Sequence, residues 1–260
     1  MLKLLGGLQV KLFRKVSWNH VVRAALVSAL PGELKPALKH VKVAREVRLY
    51  GFTVAYASYG CVELLLASSG IGKVNMSMLT TVMAVKLNVD TAVLVGTLGS
   101  AAPRLRVGKL LIPDTLAFYD QCLETDLGSI HFASYDRLPF SIRGFKPSRT
   151  VFNALIKASE NLNVSSMRGI ILTSDRFDAK SSTWRDIRMK VPWRIVGVDM
   201  ESAAFAQACS RFGVRYGVVK VATDTVGPAS PIQFIMNFRR LAPLPVRVAL
   251  EATRMMGSRG

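Results

Sequence analysis

Residues 196–225 read VGVDMESAAFAQACSRFGVRYGVVKVATDT, and this stretch decides the fold. An apolar run ends in Asp199, an alanine-rich helical stretch follows from Glu201, and the run YGVVKVATD ends in Asp224. The small alanine side chains permit a helix to pack closely on a sheet, and Gly213 is a residue typical of a helix end. The stretch therefore predicts a strand, a helix and a second strand.

The same alternation continues over the rest of the chain from Val22. Further strand candidates are VVRAALVSAL, FTVAYASYG, VELLLASSG, TAVLVG, KLLIPDTLAFY and MRGIIL. Helices are indicated by KVNMSMLTTVMAVKLN, in which Val74, Met78, Val82 and Val85 recur at helical spacing, by residues 150–161, and by a tract from Pro231 to about Met256 interrupted near Pro243 and Pro245. This order predicts one α/β domain with a central, mostly parallel, mixed β-sheet that is flanked by helices.

Composition narrows the class of protein. Half of the 260 residues are hydrophobic, and no apolar run reaches the ~18 residues that span a bilayer, which predicts a soluble protein. Cys61, Cys122 and Cys209 form no CxxC pair, and the three histidines are scattered, so the sequence indicates neither a disulfide framework nor a metal site. We therefore expect a cytoplasmic protein that uses no metal and no other cofactor.

The charge of the chain is strongly positive, with 35 Lys and Arg against 17 Asp and Glu and a net charge of +18. Such a charge attracts nucleic acid or an anionic membrane. The basic residues are spread along the chain without a nucleic-acid-binding motif, so we do not favour either contact as the main function. Residues 1–21 form a basic N-terminal extension, distinct from a domain of residues 22–260. Membrane contact, targeting and packing on the domain are all open interpretations of this extension.

Four predicted strands end in carboxylates, hydroxyls or glycines, at SAL-PGEL, VLVG-TLGS, VGVD-MESAA and VKVA-TDTVG. In α/β sheets ligands bind outside the carboxyl ends of the strands, so these ends predict a site. Asp224 ends a nearly continuous apolar strand, and burial there would raise its pKa and suit it to act as a general acid. Simpler interpretations stay open: Glu201 as an acid at a helix start, and Asp224 as a cap of the following turn.

Five segments occur in the order and spacing of a known family: SSGIGKVNM, VLVGTLGSAAPRLRVGKLLIPD, TSDRF, VGVDMESAAFA and VVKVATDT. Together they resemble the purine nucleoside phosphorylase/uridine phosphorylase superfamily over roughly residues 22–255. The resemblance is greatest to its hydrolytic branch, the 5′-methylthioadenosine/S-adenosylhomocysteine nucleosidases. It implies cleavage of the bond between adenine and the ribose of a 5′-modified nucleoside, in a homodimer.

The resemblance implies two catalytic residues. Asp224 matches the general acid that protonates purine N7 as the base departs, and Glu33 matches the acid that orients the attacking water. Thr97 replaces the serine that is usual beside this water, in a turn where Gly99 permits close approach of the backbone. Glycosidic cleavage requires an acid for the leaving group and a carboxylate for the nucleophile on the opposite face, which suits these residue types.

The resemblance also implies the substrate-binding residues. Glu201 and Met200 match the ribose-binding pair, and Phe177 matches the aromatic residue that stacks on the base. Phe234 matches an aromatic position near the 5′ substituent, and Lys220 stands where the nucleosidases commonly carry arginine. Residues 118–147, which should shape the 5′ pocket, resemble the family poorly, so futalosine and other 5′-modified nucleosides stay open as substrates.

Hydrolysis and phosphorolysis differ in the residues that hold the nucleophile. The phosphorylases carry a phosphate-binding arginine just before the glycine-rich turn, where this chain has Leu94, and their early phosphate loop is replaced by SALPGELK. Both differences favour water, although Lys35 or Lys220 could receive phosphate. Two alternatives stay open: a phosphorolytic purine nucleoside phosphorylase, and a non-catalytic basic binding or storage protein on the same fold.

Overall fold

The computed structural model describes residues 23–125, 128–131, 144–177, 180, 182, 185 and 195–257. The basic extension of residues 1–21 lies outside these ranges, as does most of the 118–147 stretch beyond Thr125. Within these ranges, no helix is both long and apolar enough to cross a membrane.

The strands of the described ranges are β1 (Arg23–Ser28), β2 (Lys42–Leu49), β3 (Phe52–Tyr59), β4 (Val62–Ser68), β5 (Thr91–Ser100), β6 (Leu110–Phe118), β7 (Cys122–Thr125), β8 (Gly128–His131), β9 (Ser166–Thr173), β10 (Val196–Asp199) and β11 (Arg215–Thr225). Within residues 23–125, 128–131, 144–177 and 195–257, the α-helices are α1 (Pro31–Leu34), α2 (Lys73–Leu87), α3 (Arg149–Asn161), α4 (Ser202–Arg211), α5 (Ser230–Leu241) and α6 (Pro243–Gly257). A 3₁₀ helix (Lys35–Lys39) follows α1.

Nine strands form one mixed sheet in the order β10-β9-β6-β11-β5-β1-β4-β3-β2. Strand β10 also pairs with β5, so the strands from β10 to β5 close on themselves. Five strand pairs of this sheet are parallel: β1–β4, β1–β5, β5–β11, β6–β9 and β9–β10. The prediction of an α/β fold around a central mixed sheet is confirmed. Strands β7 and β8 form a separate two-stranded ribbon.

Apolar layers cover both faces of the sheet. On one face, Ala25 and Val27 of β1 lie in a cluster with residues of α2 and α4. On the other face, Ala24 and Leu26 lie in a cluster with residues of α3 and α6. A strand that is covered on both sides needs apolar side chains at every position, which explains the continuous apolar run of β1.

Helix α2 forms where the sequence predicts it, but three of the four recurring residues that indicate it are exposed. Val74, Met78 and Val85 are 67%, 52% and 52% exposed. The buried side of the helix is formed instead by Met76, Leu79, Thr80, Met83 and Leu87. The described structure therefore has an apolar stripe on the outer side of α2.

Two strands, β2 and β5, differ from what the sequence predicts. The pattern does not indicate β2, because β2 is the outer strand of the sheet and exposes basic residues such as Lys42, Arg45 and Arg48. Strand β5 continues beyond TAVLVG to Ser100, so the glycine-rich segment GTLG is extended strand and not a turn. Its pairing with β11 continues to Thr225, which holds this segment straight.

Candidate active site

A cavity of about 560 Å³ lies where β1, β5, β10 and β11 end. Eight of the nine site residues predicted from the sequence line it: Glu33, Thr97, Gly99, Phe177, Met200, Glu201, Asp224 and Phe234. The ninth, Lys220, is buried behind this wall. The strand ends therefore bring together residues that are up to about two hundred positions apart in the chain, as the ligand rule for α/β sheets predicts.

Glu33 is held by the short helix that follows β1. Proline at the first helical position favours the helix start, and Glu33 at the third accepts a hydrogen bond from the Leu30 N–H at 3.0 Å. The N–H and the hydroxyl of Thr97 both donate to the other carboxylate oxygen, each at 2.8 Å. A Cβ at Gly96 would lie 2.8 Å from that oxygen, so the close approach of β5 requires glycine there. The buried carboxylate is thus fixed by three donors.

Glu201 immediately precedes α4 but makes no capping hydrogen bond to that helix. Asp199 takes this role, because its carboxylate accepts from the Ser202 N–H at 3.2 Å. Glu201 accepts instead from the Gly72 N–H at 3.1 Å and from the Lys220 ammonium at 3.3 Å. Burial raises the pKa of Glu201, and the neighbouring Lys220 charge opposes this shift. The side chain therefore belongs to the cavity wall, and not to the end of its helix.

Lys220 lies on β11 and is 2% exposed. Its ammonium is 2.5 Å from Asp199 and 3.3 Å from Glu201. Burial by itself would lower the pKa of Lys220, but the carboxylates of Asp199, Glu201 and Glu33 outweigh it and raise the pKa. The ammonium therefore stands behind the described cavity wall, where the carboxylates of Asp199 and Glu201 match its charge, and a contact of Lys220 with a ligand stays a prediction.

Asp224 is the penultimate residue of β11 and lies at a bulge in the pairing of β11 with β5. Its carboxyl group accepts from the Thr223 hydroxyl at 2.8 Å and from the Ser230 hydroxyl. A Cβ at Gly99 would lie 3.0 Å from the same carboxyl group, so Gly99 makes room for it. Burial raises the pKa of Asp224, against the effect of the two hydroxyls. The sequence does not mark Ser230, because a hydroxyl six residues away carries no local signal.

Apolar and aromatic side chains form the mouth of the cavity. The rings of Phe177 and Phe234 meet edge to face, with 6.1 Å between their centroids. Phe177 is 52% exposed, and Ile71 and Ile235 beside it are 51% and 73% exposed. Ile71 and Ile235 also line the cavity, although no pattern in the sequence marks them as site residues. An aromatic face at the mouth suits a flat heterocyclic ligand.

The charges of the cavity wall are all of one sign. Every charged side chain on its described part is acidic, namely Glu33, Asp199, Glu201 and Asp224. Asp199 is engaged by protein donors, including the Thr173 hydroxyl at 2.7 Å and Lys220. Among the described residues, no group of three His, Cys, Asp or Glu is placed to hold a metal ion. Such a wall accepts hydrogen bonds from ligand hydroxyls and repels an anion.

Known proteins share this architecture. A curated 5′-methylthioadenosine/S-adenosylhomocysteine nucleosidase of Geobacillus thermodenitrificans is 28% identical over 214 residues, covering 82% of this chain and 88% of that protein. The structure of the Streptococcus pneumoniae MTA/SAH nucleosidase in complex with 8-aminoadenine superimposes with a TM-score of 0.79 at 26% identity, over 88% of this chain and 98% of that one. The futalosine hydrolase of Helicobacter pylori gives a TM-score of 0.79 at 21% identity, over 90% and 98% of the two chains. The family model described as "Phosphorylase superfamily" matches residues 23–252, and the chain therefore belongs to the phosphorylase superfamily.

Proposed function

We propose that the protein is an enzyme that hydrolyses the N-glycosidic bond of a 5′-modified purine nucleoside, of the methylthioadenosine or S-adenosylhomocysteine type. The products are adenine and a ribose derivative. The observation that carries this proposal is that buried Glu33, Glu201 and Asp224 share the wall of one cavity. A cavity of about 560 Å³ is large enough for a nucleoside. The names of the curated relative and of the Streptococcus pneumoniae structure support the same reaction.

Asp224 serves as the general acid. Burial favours its protonated form, so the carboxyl group can carry a proton at a pH where an exposed aspartate has lost it. Transfer of this proton to purine N7 neutralises the leaving base as the bond to ribose lengthens. The hydroxyls of Thr223 and Ser230 then stabilise the carboxylate that remains.

Glu33 positions the water that attacks the ribose carbon, and it accepts the proton that this water loses as the new C–O bond forms. Its three donors fix the direction of the carboxylate, and its remaining lone pairs can accept a hydrogen bond from water. The Thr97 hydroxyl, which donates to Glu33, can itself accept from the same water. A carboxylate near this position also stabilises the positive charge that develops on the sugar ring.

Glu201 holds the ribose. Its carboxylate lines the cavity and can accept from the ribose hydroxyls, while Gly72 and Lys220 fix its orientation. Met200 lies beside it on the wall. The resemblance implies that Phe177 stacks on the purine and that Phe234 lies near the 5′ substituent, and the edge-to-face contact of the two rings supports a shared aromatic wall.

Water is the nucleophile in this proposal because the described cavity wall offers phosphate no free cation. Lys220 is matched by Asp199 and Glu201. Lys35 lines a separate cavity of about 590 Å³, together with Glu46. Leu94 is fully buried. A phosphate ion in the cavity would therefore face several carboxylates without a counter-charge.

The protein is expected to release adenine from methylthioadenosine in phosphate-free buffer, at a rate that phosphate changes less than about twofold. The measurement is chromatographic quantification of free base, with and without phosphate, over a panel that includes S-adenosylhomocysteine and futalosine. Release that depends on phosphate would make the enzyme a phosphorylase. No release from any nucleoside of the panel would favour the binding or storage alternative.

We also propose a homodimer, supported by the exposed apolar stripe of Val74, Met78 and Val85 on α2. A second copy of the chain would remove this stripe from water, at roughly 25 cal/mol per Å² of apolar surface buried. In addition, we propose that residues 22–260 form the catalytic domain and residues 1–21 an extension, in a cytoplasmic protein. The free thiols of Cys61 and Cys209 fit a reducing compartment.

Replacement of Val74 and Met78 by serine should weaken the dimer about 100-fold. The change affects four side chains, two from each copy, and burial of the exposed half of each contributes roughly 0.75 kcal/mol. Light scattering over a dilution series measures the molecular mass. Tyr50→Ser is the matched control, since Tyr50 is also a large exposed side chain, at 66%, but belongs to the turn between β2 and β3 and not to α2. An unchanged dimer in the double variant would place the interface elsewhere.

A further inference from the structure

Three charged side chains meet beside the cavity, each from a different segment of the chain. The ammonium of Lys73, the first residue of α2, lies 2.8 and 2.9 Å from the two carboxylate oxygens of Asp120 and 3.4 Å from Asp175. Asp120 follows β6, and Asp175 follows β9. The backbone joins the same cluster, because the Lys73 N–H donates to Asp175 at 3.0 Å and the Asp175 N–H donates to Asp120 at 2.9 Å.

This cluster is connected to both sides of the candidate active site. On one side, Gly72 directly precedes Lys73, and its N–H donates to Glu201 at 3.1 Å. Gly72 has a φ of +101°, so the backbone turns there in a conformation that favours glycine. On the other side, Phe177 stands two residues after Asp175 and lines the cavity mouth. One ammonium group therefore ties together the segments that carry a Glu201 donor and the aromatic face.

We propose that Lys73 is a positioning residue that aligns the ribose-binding and base-binding sides of the site with each other. This inference rests on the proposed function. Without the ammonium, the carboxylates of Asp120 and Asp175 would face each other without a cation, while the Asp175 N–H still holds them close. The expected response is a shift of the Ser174–Phe177 loop away from α2, which moves the Phe177 ring and loosens Gly72.

Because the three charged side chains of the cluster are partly exposed, their ion pairs are expected to contribute to the alignment of the site more than to the stability of the fold. The side chains of Lys73, Asp120 and Asp175 are 24%, 19% and 47% exposed. Ion pairs that remain in contact with solvent contribute little to the free energy of unfolding. Loss of Lys73 should therefore change the geometry of the site much more than the stability of the fold.

The first test compares Lys73→Met with Lys86→Met, which removes an exposed lysine from the last turn of the same helix. Lys73→Met should raise KM about tenfold, lower kcat less than about threefold and weaken adenine binding in calorimetry about tenfold. Lys73→Arg should recover most of this loss, and Lys73→Met combined with Asp120→Asn should recover part of it, because the repulsion is then removed. A KM and an adenine affinity equal to those of Lys86→Met would overturn the proposal.

The second test does not depend on turnover. Hydrogen exchange at the Gly72 and Asp175 amides should be at least about tenfold faster in Lys73→Met than in the wild type or in Lys86→Met. If the wild type releases no base, the proposed function fails while the exchange still decides whether Lys73 holds the two segments. If the wild type turns over and both amides keep their protection in Lys73→Met, the positioning role fails while the proposed function stands.

Discussion

Asp224→Asn is expected to lower kcat by about 10²- to 10⁴-fold, the usual contribution of a positioned general acid. Asparagine keeps the shape of the side chain: its amide oxygen can still accept from one of the Thr223 and Ser230 hydroxyls, and its NH2 group can donate to the oxygen of the other. It has no acidic proton to give to the purine. Binding of methylthioadenosine should therefore remain within about threefold of the wild type, as calorimetry can measure. Near-normal turnover in this variant would remove Asp224 from the role of acid.

The role of Asp224 as an acid can be checked by measuring the unfolding temperature and kcat of the wild type and of Asp224→Asn as functions of pH. Burial raises the pKa of Asp224, so its proton is held in the native state at a pH where the unfolded chain has lost it. This group contributes its full stability below the unfolded pKa, and the contribution is lost as the pH rises through the folded pKa. At neutral pH the variant should accordingly unfold at the same temperature as the wild type or a higher one.

The kcat of the wild type should fall as the pH rises through the folded pKa of Asp224, while the residual kcat of the variant should not.

Lys220→Met is expected to reduce the free energy of unfolding by about 3–5 kcal/mol, the usual cost of removing one partner from a buried ion pair. The substitution leaves the carboxylates of Asp199 and Glu201 buried without their cation. Urea unfolding measures the loss, and Lys220→Arg is the charge-conserving comparison. The exposed Lys86→Met should change the free energy by less than about 0.5 kcal/mol.

The loss in Lys220→Met should also depend on pH. Burial already raises the pKa of Glu201, and removal of the Lys220 charge, which opposes that shift, should raise it further. Protonation of this carboxyl group at lower pH then removes the uncompensated charge. The difference in stability from the wild type should therefore shrink as the pH falls. A loss below about 1 kcal/mol at neutral pH would show that Lys220 is not the cation that balances this cluster.

Some features of the fold follow from local patterns in the sequence. The continuous apolar runs of β1, β5 and β11 indicate strands because a buried strand must be apolar at every position. The outer strand β2 cannot be recognised in this way, because it faces solvent and does not require a continuous apolar run. Helix α2 shows a further limit: its exposed stripe of Val74, Met78 and Val85 has the same helical spacing as a buried face. Periodicity alone cannot say which of two apolar faces meets the core.

By itself, the sequence determined the α/β class, the strand ends where polar residues gather, and the resemblance that assigns roles to Glu33, Glu201 and Asp224. Only the tertiary structure decided what each of these residues touches. Glu201 meets Gly72, 129 positions away, and Thr97 meets Glu33, 64 positions away. The structure also decided that Lys220 stands behind the wall and that Lys73 joins Asp120 to Asp175. Such contacts depend on the order of strands in the sheet, which sets distances between segments that no local pattern of residues encodes.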